Sequence, residues 1–175
     1  MEFKRIDGEH SIKQDLMAIN PSNNRQNCGN CAVAYAMRRQ GFDVEAKVDE
    51  EGLSFEALED MFDGVIPQYP EILTPPDEIH DVIQKIEQNI LSWGDGANGA
   101  IRGQWQGVPA SEAGHLFSVE VSGGKVMYVD GQSNDGDVKK YLEVMEPLSI
   151  VYGRLDNVKP NANVKRAVKI RSAKK

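Results

Sequence analysis

The chain has 175 residues, 40% of them hydrophobic, and a formal net charge of −7 at pH 7. This composition predicts one globular domain with a buried core, and the charge argues against nucleic acid or an anionic membrane as partner. No stretch approaches the roughly 18 apolar residues of a membrane span, and the first residues lack the apolar core of a signal peptide. Two cysteines cannot form a disulfide framework, so we expect synthesis in a reducing cytoplasm.

The first predicted elements are helices. A short helix is expected over residues 10–20, followed by a polar loop and a longer helix from Cys28 to Gln40. Gly41 supplies the C-terminal stop of the longer helix. That helix is apolar on nearly all sides, which is typical of a buried helix.

Two further helices follow. Residues 53–62 predict one with Ser54 as its N-cap, and Asp77 is expected to cap another. The last helix has an apolar stripe at helical spacing, formed by Ile79, Val82, Ile83, Ile86 and Ile90.

From about residue 99 the pattern changes to that of strands. The predicted strands are GAIRGQW, HLFSVEV, KVMYVD and LSIVYGRL, with a short helix at DVKKYLEVM. Helices first and strands afterwards indicate an α+β domain, which we assign to residues 1–158. The segment from Lys159 carries seven Lys or Arg and no acidic residue, so residues 159–175 are expected to form a flexible, solvated basic tail.

The sequence HLFSVEVSGGKVMYVD predicts a β-hairpin whose two-residue turn is Gly123-Gly124. This register sets Ser122 opposite Lys125 and gives a buried apolar face and an opposite, polar face with Ser118, Glu120, Ser122 and Lys125. The buried helix is expected to cover the apolar face. That face carries Phe117, Val119, Val121, Val126 and Tyr128.

His115 and Asp130 lie at the edge of the predicted apolar face as diagonal cross-strand neighbours. Their Cα atoms should be about 7–8 Å apart, within side-chain reach. Gly114 allows another segment to approach closely. A structural hydrogen bond would explain such a pair, but a cysteine at a helix start adds a third group. Thiolate, imidazole and carboxylate together indicate a Cys-His-Asp hydrolase.

The pair Cys28-Gly-Asn-Cys31 has other interpretations. A structural zinc site needs four ligands, and the three histidines supply no second ligand pair. A redox couple of the thioredoxin type follows a strand, whereas here a polar loop precedes the pair. Two buried, inert thiols are the third alternative. We expect no metal and no cofactor.

An ordered set of motifs resembles the papain-fold toxin domain of bacterial polymorphic toxins, which also occurs at the ends of phage minor head proteins. The motifs are INPSNNRQNCGNCAVAYAMRRQGFDVEA, GAIRGQW, GHLFSVEVSGGKVMYVDGQ and RLDN, and they extend from about Asn20 to Asn157. The resemblance implies a papain-like fold, in which a central catalytic helix packs on an antiparallel sheet. It also implies a relationship to bacterial protein glutamine deamidases.

The resemblance assigns site residues by position. His115 matches the family's Gly-His-aromatic motif, Asp130 the acid at the strand end, Gln132 the following glutamine and Trp105 the aromatic residue of the preceding strand. The chain departs from the family pattern at Gly131, where a proline is expected, and in a longer QGVPASEA insert before the histidine. Both departures lie in predicted loops and bear on substrate preference.

Either cysteine could be the nucleophile. Papain-type proteases show Cys-Gly-x-Cys with the second cysteine reactive, which favours Cys31 and places Gln26 near the position of an oxyanion glutamine. In favour of Cys28, Asn27 is a good N-cap and a helix starting at Cys28 has a normal length.

The expected chemistry is acyl transfer on a carboxamide, with an oxyanion held at the helix start. Glutamine deamidation is the first expectation. A cysteine protease or isopeptidase, and a non-catalytic binding module, are the alternatives. The expected partners are a host or competitor protein as substrate and an immunity or inhibitor protein. The chain would be delivered to a target cell or carried in a phage particle.

Overall fold

The structure is a computed structural model that describes residues 3–48, 54–70, 79–107 and 114–172. The helices are α1 Ile12–Ile19, α2 Cys28–Arg39, α3 Phe55–Met61, α4 Ile79–Leu91 and α5 Lys140–Glu143. The strands are β1 Val44–Ala46, β2 Phe62–Asp63, β3 Asn98–Gln104, β4 Gly114–Ser122, β5 Lys125–Val129, β6 Val151–Arg154, β7 Lys159–Pro160 and β8 Val168–Ile170.

Two residues predicted to end or begin helices do so in the structure. Ser54 accepts a hydrogen bond from the main-chain N–H of Ala57 at the start of α3. Gly41 follows α2 with a φ of +96°, a conformation that glycine adopts without strain. The predicted cap at Asp77 lies outside the described residues.

The central sheet has four antiparallel strands in the order β5-β4-β3-β6. Ser122 pairs with Lys125 across the Gly123-Gly124 turn, as the sequence predicts. The last predicted strand is shorter than expected, because a 3₁₀ turn over Pro147–Ser149 precedes β6.

Both faces of the sheet are buried. The face predicted to be apolar packs against α4, whose stripe includes Val82, Ile86 and Ile90. The opposite face packs against α2, with Leu116 and Val129 in that second core. The prediction that α2 covers the face bearing Phe117 is therefore wrong.

Polar partners explain why α2 takes the other face. The Arg39 guanidinium donates to both oxygens of Glu120, at 2.7 and 3.0 Å, and the Tyr35 hydroxyl donates to the same carboxylate at 2.9 Å. Glu120 is only 2% exposed. Glu120, which was predicted to face solvent, is thus buried, and its bonds to Arg39 and Tyr35 hold α2 against this face of the sheet.

The basic segment from Lys159 to Ser172 is not a solvated tail. Strand β7 pairs with β2, β8 pairs with β1, and the side chain of Val164 is fully buried. Acidic residues of the body neutralise part of the basic charge, as in the ion pair from Arg171 to Asp43 at 2.8 Å. The prediction of a flexible tail is therefore wrong for this segment.

Candidate active site

Cys28 is the first residue of α2, and its side chain faces the start of β4. The main-chain N–H of Leu116 donates a hydrogen bond to the Cys28 sulfur, and the His115 ring makes a second hydrogen bond to it. The other end of α2 lies near Glu120, so the helix runs alongside β4 in the same direction. The buried helix thereby brings its N-terminus, which favours an anion, to the strand that carries His115.

Asp130, directly after β5, holds the far side of the His115 ring. Its Oδ2 lies 2.7 Å from His115 Nε2 and also accepts from the Tyr141 hydroxyl at 3.2 Å. The main-chain N–H of Gln132 donates to Oδ1 at 2.9 Å. Because Nε2–H donates to a carboxylate, the ring keeps Nδ1 for the thiol.

The electrostatics of the three groups favour a thiolate and an imidazolium. Burial acts to raise the pKa of Cys28, but the hydrogen bond and charge of His115 outweigh it, and the pKa lies below the ordinary thiol range. Burial acts to lower the pKa of His115, but bonds to Asp130 and Cys28 raise that pKa to about 9. Burial acts to raise the pKa of Asp130, but hydrogen bonds outweigh it and hold that pKa below its ordinary value. The bond with His115 contributes most.

Cys31 lies one turn further along α2 in a different environment. It is 2% exposed, and its thiol donates to Asn27 Oδ1 at 3.5 Å. Burial, together with the negative charges of Asp130 and Cys28, raises the pKa of Cys31 far above the ordinary thiol range. Such a thiol stays protonated and is a poor nucleophile.

Asn27 occupies the N-cap position, but its side chain does not cap α2. Its amide donates instead to Asn20 Oδ1 at 3.1 Å and to the Lys47 carbonyl at 3.0 Å. The amide thus ties the helix start to the preceding loop and to the chain after β1. The expected side-chain cap is wrong, and the N–H groups of the first helical turn do not bond to Asn27 Oδ1.

The other predicted cleft residues take different positions. Trp105 stacks on the His115 ring, with 5.9 Å between the ring centroids. Gln132 is half-buried, and its carbonyl accepts from Asn20 Nδ2 at 3.0 Å. Gln26 is exposed, two residues before the start of α2.

Tyr141 is a site residue that the sequence did not reveal. Its ring meets His115 edge-on, with centroids 5.4 Å apart, and its hydroxyl contacts Asp130. Burial and the Asp130 charge raise the pKa of Tyr141, so the hydroxyl remains a donor. The signal available was its place in the short helix predicted to follow the acid.

Gly114 permits the close approach that the sequence suggested, and the approaching group is the side chain of Arg102. A Cβ at Gly114 would stand 2.5 Å from Arg102 Nη2 and 2.8 Å from Cζ. The guanidinium therefore lies directly against the backbone that precedes His115.

Within the described ranges, no three His, Cys, Asp or Glu side chains converge as metal ligands would. No helix in those ranges has the length and apolar character needed to cross a membrane.

Comparisons with known proteins give a family match and a structural match. Residues 26–135 match the family described as papain fold toxin 1, glutamine deamidase. Among solved structures, the chain is similar to the Salmonella effector SpvD, G161 variant, with 16% sequence identity and a TM-score of 0.58. That similarity covers 87% of this chain and 82% of the other, and it shows a shared fold. Curated protein sequences give no match.

Proposed function

The chain belongs to the papain-fold toxin family of glutamine deamidases, and on that premise we propose that Cys28, His115 and Asp130 are its catalytic triad. The family match confirms the predicted papain-like α+β fold and the predicted class, a cysteine hydrolase of toxin or effector type. The proposed reaction is the conversion of a protein glutamine side chain to glutamate.

The observation that carries this proposal is the arrangement at the start of α2, where Cys28 faces a His115 ring that Asp130 holds at 2.7 Å and that lowers the pKa of the thiol. A thiol paired with an imidazole at that position is a nucleophile at neutral pH. Asp130 orients the ring by accepting from Nε2 at 2.7 Å. Cys31 lacks the lowered pKa of a nucleophile and serves as a packing residue.

The steps follow from these roles. The Cys28 thiolate attacks the carboxamide carbon, and the N–H groups of the first turn of α2 stabilise the oxyanion. The His115 imidazolium gives its proton to the nitrogen, ammonia leaves, and a thioester remains on Cys28. The neutral ring then takes a proton from water, which attacks the thioester and releases the glutamate carboxylate and the thiolate.

Trp105 and Gln132 are proposed to border the cleft, and Gln26 is proposed to approach it from the loop before α2. Trp105 forms one wall because it stacks on the His115 ring. Gln132 supports the site through its main chain, which bonds to both Asp130 and Asn20. The exposed side chain of Gln26 has no partner among the described residues that would prevent it from turning toward substrate.

The family implies a protein substrate and delivery into a target cell. We further propose synthesis in a reducing cytoplasm, where the Cys28 thiol stays reduced, and release by secretion or in a phage particle. An immunity or inhibitor protein that covers the cleft would protect the producing cell.

A test with blocked glutamine-containing peptides distinguishes deamidation from proteolysis. Deamidation releases ammonia without creating new amino groups, whereas proteolysis creates amino groups without ammonia. We expect ammonia release by the wild type and by Cys31→Ala, and none by Cys28→Ala. New amino groups in place of ammonia would assign the site to a protease, and equal activity of Cys28→Ala would remove the triad.

A further inference from the structure

One cation beside the proposed site has no function in the triad. Arg102 lies in β3, opposite Leu116 of β4 and Val151 of β6. Paired residues of neighbouring strands share a face, so Arg102 emerges on the face that α2 covers. Its guanidinium extends along that face to Gly114, where it fills the space that a Cβ would occupy.

Among the described residues, the Arg102 guanidinium has no protein partner. It is half-buried, and within the described residues it has no hydrogen bond and no ion pair. Two arginines of α2 differ, since the buried Arg38 pairs with Asp15 and the half-buried Arg39 pairs with Glu120. A partly desolvated guanidinium with five unused donors is therefore available to an external acceptor.

The position of this cation relative to the thiol defines its reach. The N–H of Leu116 contacts the Cys28 sulfur, and Gly114 lies two residues earlier on the same strand. At a strand rise of about 3.3 Å per residue, the guanidinium stands roughly 7 Å from the thiol contact. An extended substrate covers that distance in about two residues.

We propose that Arg102 is a specificity-determining residue, which binds a carboxylate of the substrate protein within about two residues of the target glutamine. The proposal rests on the proposed function of Cys28 and His115. A planar guanidinium matches a carboxylate through two parallel hydrogen bonds, so an Asp or Glu side chain is the chemical group that fits. The preference is local, because the chain as a whole carries a charge of −7 and does not attract acidic proteins.

The first test uses blocked alanine heptapeptides with a central glutamine. One series places a glutamate one or two positions before or after that glutamine, and the matched series places a second uncharged residue there. For the wild type we expect kcat/KM for ammonia release to be about tenfold higher with glutamate at one of these positions. Arg102→Gln should lose that ratio, Arg102→Lys should keep part of it, and Arg102→Glu should prefer lysine at the same position.

The second test needs no turnover. Iodoacetate carries a carboxylate and iodoacetamide does not, so the ratio of their alkylation rates at Cys28 reports the nearby cation. The ratio should fall several-fold in Arg102→Gln. It should stay unchanged in Arg166→Gln, a control that removes an exposed arginine from the C-terminal segment. Circular dichroism of each variant checks the fold.

The outcomes separate the two proposals. Ammonia release with no glutamate preference, or a preference that Arg102→Gln retains, would overturn the role of Arg102 and leave the deamidase intact. An unchanged alkylation ratio in Arg102→Gln would overturn it even if no peptide is a substrate. If no ammonia is released but the ratio of the iodoacetate and iodoacetamide rates falls in Arg102→Gln, the carboxylate-binding role of Arg102 is supported. The same result counts against the proposed deamidation.

Discussion

Removal of the imidazole should raise the pKa of the Cys28 thiol, and this effect can be measured directly. The hydrogen bond and the charge of His115 are the main causes that lower this pKa, with the Leu116 N–H adding a smaller contribution. In His115→Ala the burial of the thiol is no longer offset by a positive neighbour. The thiolate should then form only at more alkaline pH.

The magnitude follows from the type of contact. A hydrogen bond to a charged group contributes about 1.5–3 kcal/mol, and one pKa unit corresponds to about 1.4 kcal/mol, so the thiol pKa should rise by about one to two units. In the pH range where the wild-type thiol is ionised and the variant thiol is not, the alkylation rate should fall roughly 10- to 100-fold. Above the raised pKa of the variant, the two rates should converge.

The assay is iodoacetamide alkylation followed by mass spectrometry across the pH range. The wild-type rate should fall only as pH drops through the lowered pKa of Cys28. Hydrolysis should also decline as pH rises through about 9, where the His115 imidazolium loses its proton. Cys31→Ala and His80→Ala, which alters an exposed histidine of α4, should label like the wild type. An unchanged pH profile in His115→Ala, or labelling at Cys31, would refute this reasoning.

Three further variants test the proposed triad and its surroundings. Asp130→Asn should lower kcat by roughly 10²- to 10⁴-fold with little change in KM, because the His115 ring loses its orienting acceptor. A change confined to KM would instead indicate that Asp130 contacts substrate. Cys31→Ala should lower the free energy of unfolding by about 1–2 kcal/mol in urea and leave kcat unaltered; lost turnover in a folded variant would restore the residue as a nucleophile. Arg39→Met should destabilise the fold by about 3–5 kcal/mol at neutral pH, because it leaves the Glu120 carboxylate buried without its cation. Burial raises the pKa of Glu120, so this loss should shrink as pH falls and the carboxyl group becomes neutral; an equal loss at both pH values would contradict the role of that charge.

Local signals in the sequence were sufficient for the elements that carry the site. The cysteine at the start of α2 follows from helical pattern and length, and the Gly123-Gly124 turn fixes the register of the hairpin. That register, continued past the end of β5, is what brought His115 and Asp130 within reach. The catalytic assignment of these residues stays a prediction that the experiments above test.

The errors have a common physical cause, which is that polarity in a sequence does not reveal partners distant in the chain. Glu120 was expected on a solvated face, but Arg39, 81 positions earlier, neutralises it in the core. The basic segment was expected to be flexible, although Val164 and its neighbours insert into the core. Tyr141 and Arg102 reach the site only through the tertiary fold, and the local sequence gives no sign of either role beyond the place of Tyr141 in the short helix after the acid.

The most direct test compares proteins of a target-cell lysate after incubation with the wild type, Cys28→Ala or Cys31→Ala. Peptide mass spectrometry then identifies each change of glutamine to glutamate and each new chain terminus. We expect specific glutamate formation, with chains intact, by the wild type and Cys31→Ala, and none by Cys28→Ala. Glutamate formation that persists in Cys28→Ala, or chain cleavage without it, would contradict a deamidase built on Cys28.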